Sequence, residues 1–405
     1  MSGRSVVIAG DFGAGDGGAP FARVSQIALG LAGAGCAVHV FGLSGRRKGA
    51  TYGLVTEPIF GRDSIALYGW KGGKMGRLSR LRWFWNTYQS SAQVTGAIAS
   101  EIDQRTVLIL YGRSYRRLMP LANIAKKCGA TLVWDTTEGI ERFRGRGGKC
   151  SPIYIDWWLG TRALARSADL VTAITNSLAD RYASVCRRVM VLPVLGEWSR
   201  CVQSEARRSS SAFRLIVFGA LREKDAPQTV LDSVSLLSAR KVNLEIHLVG
   251  RYNDDRTSRG FAARLLALSN ATTSIVGQGA MAKGDMISLF ETADCFMLLR
   301  PDTPAERLAF PTRIVEILMY GKPLITSDVG DVSRYLQNGR DAIVIQNDPR
   351  LVAESVAGLV GEPGKAAAIG ITGRERAAKC FDRHRMAREL LARIREIRSD
   401  DGAPS

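Results

Sequence analysis

The sequence predicts an α/β protein built as two Rossmann-like, doubly wound lobes with a cleft between them. Three observations predict it. Short β-branched runs alternate with amphipathic helical stretches along nearly all of the 405 residues, as repeated βαβ units do. The strand runs are almost continuously apolar, as expected of strands covered by helices on both faces. The alternation is interrupted once, between Trp198 and Ala212, where SRCVQSEARRSSSA is polar, Ser-rich and without period, and a new strand follows at once.

The elements follow in order. The first lobe, residues 1–198, holds strands at Ser5–Ala9, Ala37–Leu43, Thr106–Tyr111, Thr131–Asp135 and Leu170–Thr175. Helices fall between them at Phe21–Ala34, Leu118–Cys128 and Ile155–Ser167. Residues 199–212 are read as the linker. The second lobe, 213–385, alternates strands at Phe213–Phe218, Leu244–Val249, Thr273–Val276 and Cys295–Leu299 with helices at Pro227–Ser238, Arg259–Ser269 and Met286–Thr292. Pro227 suits a first helical turn. The chain closes in RERAAKCFDRHRMARELLARIREI, apolar every three or four residues and basic elsewhere, which reads as one helix. Its last part, 386–405, is expected to pack back on the first lobe and to end in a disordered polar tail.

With 46% hydrophobic and 23% charged residues, the composition is that of a well-folded globular chain and excludes wholesale disorder. The seven cysteines stand singly, with no CxxC pair, against a disulfide framework or a zinc finger and for a reducing compartment. No apolar leader opens the sequence and no run of about 18 apolar residues follows, so a cytoplasmic protein is expected. The formal charge of +18 favours polyanions, anionic headgroups or phosphorylated ligands as partners, or reflects heavy arginine usage alone.

Ligands of open α/β sheets bind at loops beyond the carboxyl ends of strands, so chemistry is expected in those loops. Gly13-Ala-Gly15-Asp-Gly17-Gly18 satisfies GxGxxG between a strand and a helix, but no carboxylate closes the second strand as a dinucleotide fingerprint requires. Arg46, Arg47 and Lys48 keep open an NADP-dependent reductase, and a plain flexible turn is the other reading. In Leu308-Ala-Phe310-Pro-Thr312-Arg313-Ile-Val-Glu316-Ile-Leu-Met-Tyr-Gly321-Lys-Pro323, Pro311 and Gly321 bracket a short helix. Its amino end with Arg313 suits a diphosphate. Glu316, among apolar neighbours, needs a partner such as a ribose diol, or an ion pair with Arg313 or Lys322. Gly219-Ala-Leu-Arg222-Glu-Lys224-Asp places two cations where a strand hands over to a helix, suited to a leaving phosphate without metal or to plain solvation. No DxD occurs, and the three histidines lie in two apolar strands and the terminal helix, so neither cofactor nor metal is expected.

Taken together, GGA near the start, Ala168-Asp-Leu-Val-Thr-Ala-Ile-Thr-Asn-Ser-Leu-Ala-Asp180, the Gly219–Lys224 turn, Leu248-Val-Gly250, the Phe310–Pro323 segment and Thr326-Ser-Asp-Val-Gly330 resemble family-4 glycosyltransferases of the GT-B fold, over roughly residues 5 to 360. The resemblance implies transfer of a sugar from a UDP-, GDP- or ADP-linked donor, with retention of configuration, to a glycan or lipid-linked acceptor in cell-surface polysaccharide synthesis. It implies that Glu316 holds the donor ribose, that Lys224 with Arg222 and Gly219 holds the diphosphate, that Gly17 and Gly18 face the donor phosphates, and that Phe310, Thr312 and Arg313 line its pocket. Three positions depart from the family pattern. Leu308 stands where the first Glu of E-x7-E belongs, Ala220 where an arginine often follows the glycine, and the loop Trp134-Asp-Thr-Thr-Glu138-Gly has no histidine. Asp135 or Glu138 is then the acceptor-side catalytic candidate, or merely a helix cap. The departures also leave open a non-catalytic partner subunit.

Outside that pattern lies a stretch with Lys71, Lys74, Arg77, Arg80 and Arg82, no acid between 71 and 82, and then Trp83-Phe84-Trp85. Cations with interfacial tryptophans predict peripheral contact with an anionic membrane at the inner face, or else a solvated basic helix with its aromatics in the core. No nucleic-acid-binding module is recognised, and no nucleic acid partner is expected.

Overall fold

A computed structural model describes residues 5–14, 18–44, 51–55, 60, 65–71, 94–142, 148–198 and 212–400. Gly17, the side chain of Lys71, residues 74–85 and, except for Ala212, the expected linker lie outside them. The chain divides into two units, Met1–Leu195 with Arg383–Ser405, and Gly196–Asp382.

Among the described residues the first unit is a sheet of eight strands, β1 (Ser5–Gly10), β2 (Ala37–Gly42), β3 (Thr51–Val55), β4 (Ile65–Lys71), β5 (Val107–Tyr111), β6 (Thr131–Thr136), β7 (Leu170–Ala173) and β8 (Val189–Val191), in the order β3-β4-β2-β1-β5-β6-β7-β8. All neighbours are parallel except β3 and β4, an antiparallel edge pair absent from the sequence reading. Continuous burial along β1, β5 and β6 accounts for the unbroken apolar runs. Helix α1 (Ala19–Gly33) buries Phe21, Val24, Ile27, Ala28 and Leu31, the three- and four-residue spacing of one helical face. Helix α2 (Tyr115–Cys128) is capped by Ser114 and α3 (Pro152–Ser167) by Ser151, each hydroxyl accepting from a backbone N–H three residues on. These caps start both helices three residues before the apolar periodicity does.

The second unit has, among its described residues, six parallel strands, β9 (Phe213–Phe218), β10 (Leu244–Val249), β11 (Thr273–Gly279), β12 (Cys295–Leu298), β13 (Leu324–Ser327) and β14 (Ile343–Ile345), ordered β11-β10-β9-β12-β13-β14. Helices α5 (Pro227–Ala239), α6 (Arg256–Leu266), α7 (Lys283–Glu291), α8 (Pro304–Arg307), α9 (Arg313–Leu318), α10 (Val332–Tyr335) and α11 (Pro349–Gly361) connect them or follow, with α4 (Asn176–Ala183) their counterpart in the first unit. The basic segment read as one helix is two, α12 (Pro363–Phe381) and α13 (Arg383–Asp400), parted by an extended Asp382. The break falls where the chain leaves the second unit. Met386, Leu390, Leu391, Ile394 and Ile397 of α13 complete the core of the first. Among the described residues no helix is long and apolar enough to cross a membrane.

Candidate functional site

In the second unit the strand order reverses between β9 and β12, and the crevice beyond the carboxyl ends at such a point is where α/β sheets bind ligands. The loop leaving β9 there is Gly219–Ala226. It holds two of the three non-glycine residues with positive φ among those described, Leu221 (φ 52°) and Ala226 (φ 45°). Each such conformation costs about 1–2 kcal/mol and persists only where the surroundings enforce it. Here Asp225 enforces it. Its Oδ2 accepts from the backbone N–H of Ala220 (2.9 Å) and Arg222 (3.3 Å), while Arg300, two residues beyond β12, donates to Asp225 Oδ1 and to the Lys224 carbonyl, both at 2.8 Å. Both charged groups are buried, and the loop is tied into a ring that leaves the Lys224 side chain exposed. Helix α5 starts directly after, and its amino end favours an anion.

The structure brings Arg313 and Glu316 to the same place. The Arg313 guanidinium lies 4.2 Å from the ring centre of Phe218, the last residue of β9, and Glu316 sits 3.7 Å from Arg313 on α9. That pair is half-exposed, so it contributes little by itself. Surrounding protein raises the Glu316 carboxyl above its usual range although 54% of its side chain meets solvent, with Arg313 and Lys283 pulling the other way. Helix α9 begins two residues later than the sequence reading, and Pro311 stands before it, its carbonyl accepting from Ile314. Thr312 is the half-buried residue at its amino end. Arg222 turns toward the next loop, pairing with Asp255 at 3.3 Å and Asp254 at 3.7 Å. Phe310 is packed into an aromatic trio with Tyr335 and Phe381, and its ring belongs to the core.

In the first unit the reversal lies between β1 and β5. Asp11, directly after β1, accepts from the backbone N–H of Arg113 and Ser114 and from the Arg117 guanidinium. Arg113 in turn pairs with Glu138 at 3.0 Å, and both are partly exposed. Gly18 caps α1. Asp135 is in the core: at 0% exposure its carboxylate receives both the Nε and Nη2 of buried Arg23 at 2.7 and 2.8 Å and the Thr172 hydroxyl at 2.7 Å. Nothing of it is left for a substrate, and Glu138 is the group that reaches the strand ends. Among the described residues no three His, Cys, Asp or Glu stand together as a metal site.

Residues 212–362 match the family model of glycosyl transferases group 1. The second unit carries a glycosyltransferase domain. The fold of the chain is GT-B: HepE from Anabaena, solved in complex with UDP and glucose, is similar at 14% identity over 97% of this chain and 100% of its own, with a TM-score of 0.66. Sucrose-phosphate synthase from Thermosynechococcus elongatus (13%, 98% and 100%, TM-score 0.71) and α,α-trehalose-6-phosphate synthase from Burkholderia multivorans (12%, 99% and 100%, TM-score 0.69) share it. No curated protein matches the sequence.

Within the glycosyltransferase domain, sequence reasoning missed Asp225 and Arg300. Asp225 was visible as an acid six residues past a strand-end glycine, and Arg300 as a charge closing an apolar strand, but their pairing spans 75 residues. The domain also fixes Gly250. Its φ is +149°, and a Cβ there would collide with the carbonyl oxygen of Gly219. Gly250→Ala should push the Gly219–Ala226 loop out of place and cost about 1–3 kcal/mol. Thermal melts check this, and an unchanged melting temperature would refute the coupling.

Proposed function

We propose that the chain is a retaining glycosyltransferase that moves a sugar from a nucleotide-sugar donor, UDP-linked in the first instance, to a glycan or lipid-linked acceptor in cell-surface polysaccharide synthesis. The observation that carries this reading is the strained Gly219–Ala226 loop, clamped by Arg300 at the sheet's reversal point and presenting Lys224. A site that holds strain against its own stability is matched to a ligand, and a cation beside a helix amino end is matched to a diphosphate. Complexes of HepE with UDP and with UDP-glucose support UDP as the first nucleotide to try.

Lys224, and Arg222 when released from Asp254 and Asp255, neutralise the diphosphate as the glycosidic bond breaks, so charge that develops on the leaving group meets fixed cations and amides. This needs no metal or other cofactor. Glu316 accepts hydrogen bonds from the ribose diol, with Arg313 beside it. In the first unit Glu138, oriented by Arg113, is the acceptor-side group. The reading places the protein in the cytoplasm, at the inner membrane face when the acceptor is lipid-borne.

Calorimetric titration with UDP, GDP and ADP sugars tests it. One nucleotide should bind, Lys224→Ala should weaken it roughly tenfold to a hundredfold, as loss of a charge-assisted hydrogen bond does, and Glu316→Ala should weaken it about tenfold. Both side chains are exposed, so melting temperatures should stay within a few degrees. If neither variant alters binding in a folded protein, the assignment is wrong. Binding of NADPH instead would identify a reductase, and binding of no nucleotide a partner subunit.

A further inference from the structure

Helix α3 has two faces that do not match the usual division between core and solvent. Gly160, Thr161, Leu164 and Ala165 face inward, and Gly160 lies so close to Arg113 that a Cβ would strike its carbonyl. The outward face, at i, i+3, i+4, i+7 and i+11 from Ile155, reads Ile155, Trp158, Leu159, Arg162 and Arg166, all exposed. Ile155 is 46% and Leu159 40% accessible. Single exposed apolar residues are ordinary, but a contiguous apolar stripe marks a contact surface.

Charge says what the contact is. The one acid of the helix, Asp156, is turned to the Ser114 hydroxyl and the Arg116 backbone N–H, and Glu141 nearby is paired with Arg181. Arg162 stacks 3.9 Å over the ring of Trp158. Exposed Tyr115 and Arg116 continue the patch from α2. The occupant must therefore be apolar in its depth and anionic at its rim. A second copy of the chain would set arginines against arginines, a like-charge cost.

We propose that this face of α3 docks on an anionic membrane surface, with Ile155, Trp158 and Leu159 in the interfacial layer and Arg162 and Arg166 on headgroups. The same helix carries Trp157 against Arg113, 4.5 Å from its ring centre, at the reversal point of the first unit. Docking thus sets that loop cluster beside a lipid-borne acceptor; this last step, unlike docking itself, rests on the transferase reading.

Co-sedimentation of the full chain with phosphatidylcholine vesicles, with and without phosphatidylglycerol, tests the proposal. The chain should pellet with the anionic vesicles, less so at high salt, and not with phosphatidylcholine alone. Trp158→Ser with Leu159→Ser, and separately Arg162→Glu with Arg166→Glu, should each lower the bound fraction roughly tenfold with unchanged melting. Indifference to phosphatidylglycerol overturns the proposal. So does wild-type binding by both variants, including the case in which Arg77→Glu with Arg80→Glu removes it instead. A dimer in light scattering that the α3 variants dissolve, without vesicle binding, makes a second copy the occupant and also overturns it. UDP calorimetry on the same proteins reads the transferase proposal separately: a wild type that pellets but binds no nucleotide sinks that reading and leaves docking intact.

Discussion

Asp135→Ala should destabilise the first unit by about 3–5 kcal/mol, because it leaves a guanidinium buried without its counter-charge. Arg23 is 7% exposed and is held by four bonds, two to Asp135 and one each to the Leu192 and Pro193 carbonyls, so water can replace little of what Asp135 supplies. Burial works against its charge, and Asp135 more than restores it. Arg23→Ala should cost a similar amount, while Arg23→Met with Asp135→Leu should cost much less than either, since an apolar pair of like volume removes both desolvation penalties. Trp70, Trp134, Trp157 and Trp158 lie in the first unit, so urea unfolding followed by tryptophan fluorescence reads the change. Asp135→Asn separates this role from a catalytic one: stability should fall, whereas an acceptor-side group would lower kcat in a protein of unchanged stability.

A chain ending at Asp382 should fail to fold its first unit. Removal of α13 withdraws five large apolar side chains from that core, roughly 10 kcal/mol of burial, which equals the whole stability of an ordinary domain. It also removes Arg398, whose guanidinium satisfies the Thr131 hydroxyl and the carbonyls of Arg105 and Thr106. The second unit keeps all of its own core. Limited proteolysis should therefore degrade residues 1–195 of the shortened chain and spare residues 196–382, and equal resistance of both would show that α13 is dispensable. Ile394→Ala in the full chain, at about 2–5 kcal/mol, provides a milder form of the same test.

Alternation and unbroken apolar strands made both sheets legible, because a parallel strand covered on each side has no polar face to hide. The loop Gly219–Lys224 was legible for a related reason, since a strand-end glycine followed by cations is local. Partners far apart in sequence were not. Asp135 reads the same alone whether it meets Arg23, 112 residues away, or an acceptor. The division of the terminal helix was also hidden: Asp382 bends the chain with φ −63° and ψ 121°, a conformation open to any residue, so no glycine or proline marks it. The edge pair β3 and β4 carries little burial and hence no strong pattern.

The neighbouring crossings at Gly196 and Asp382, joined by the hydrogen bond from Gly196 to the Phe381 carbonyl at 2.8 Å, make the second unit an insertion within the first. On the ribosome the order of synthesis and the order of completion then differ. The half that emerges first must wait, its sheet assembled but one wall open, until the last helix is released, while the half made later has everything it needs to mature ahead of it. Chaperones should find their substrate in the waiting amino-terminal part, and a circular permutant that opens between residues 382 and 383 and joins the old ends should shorten that wait.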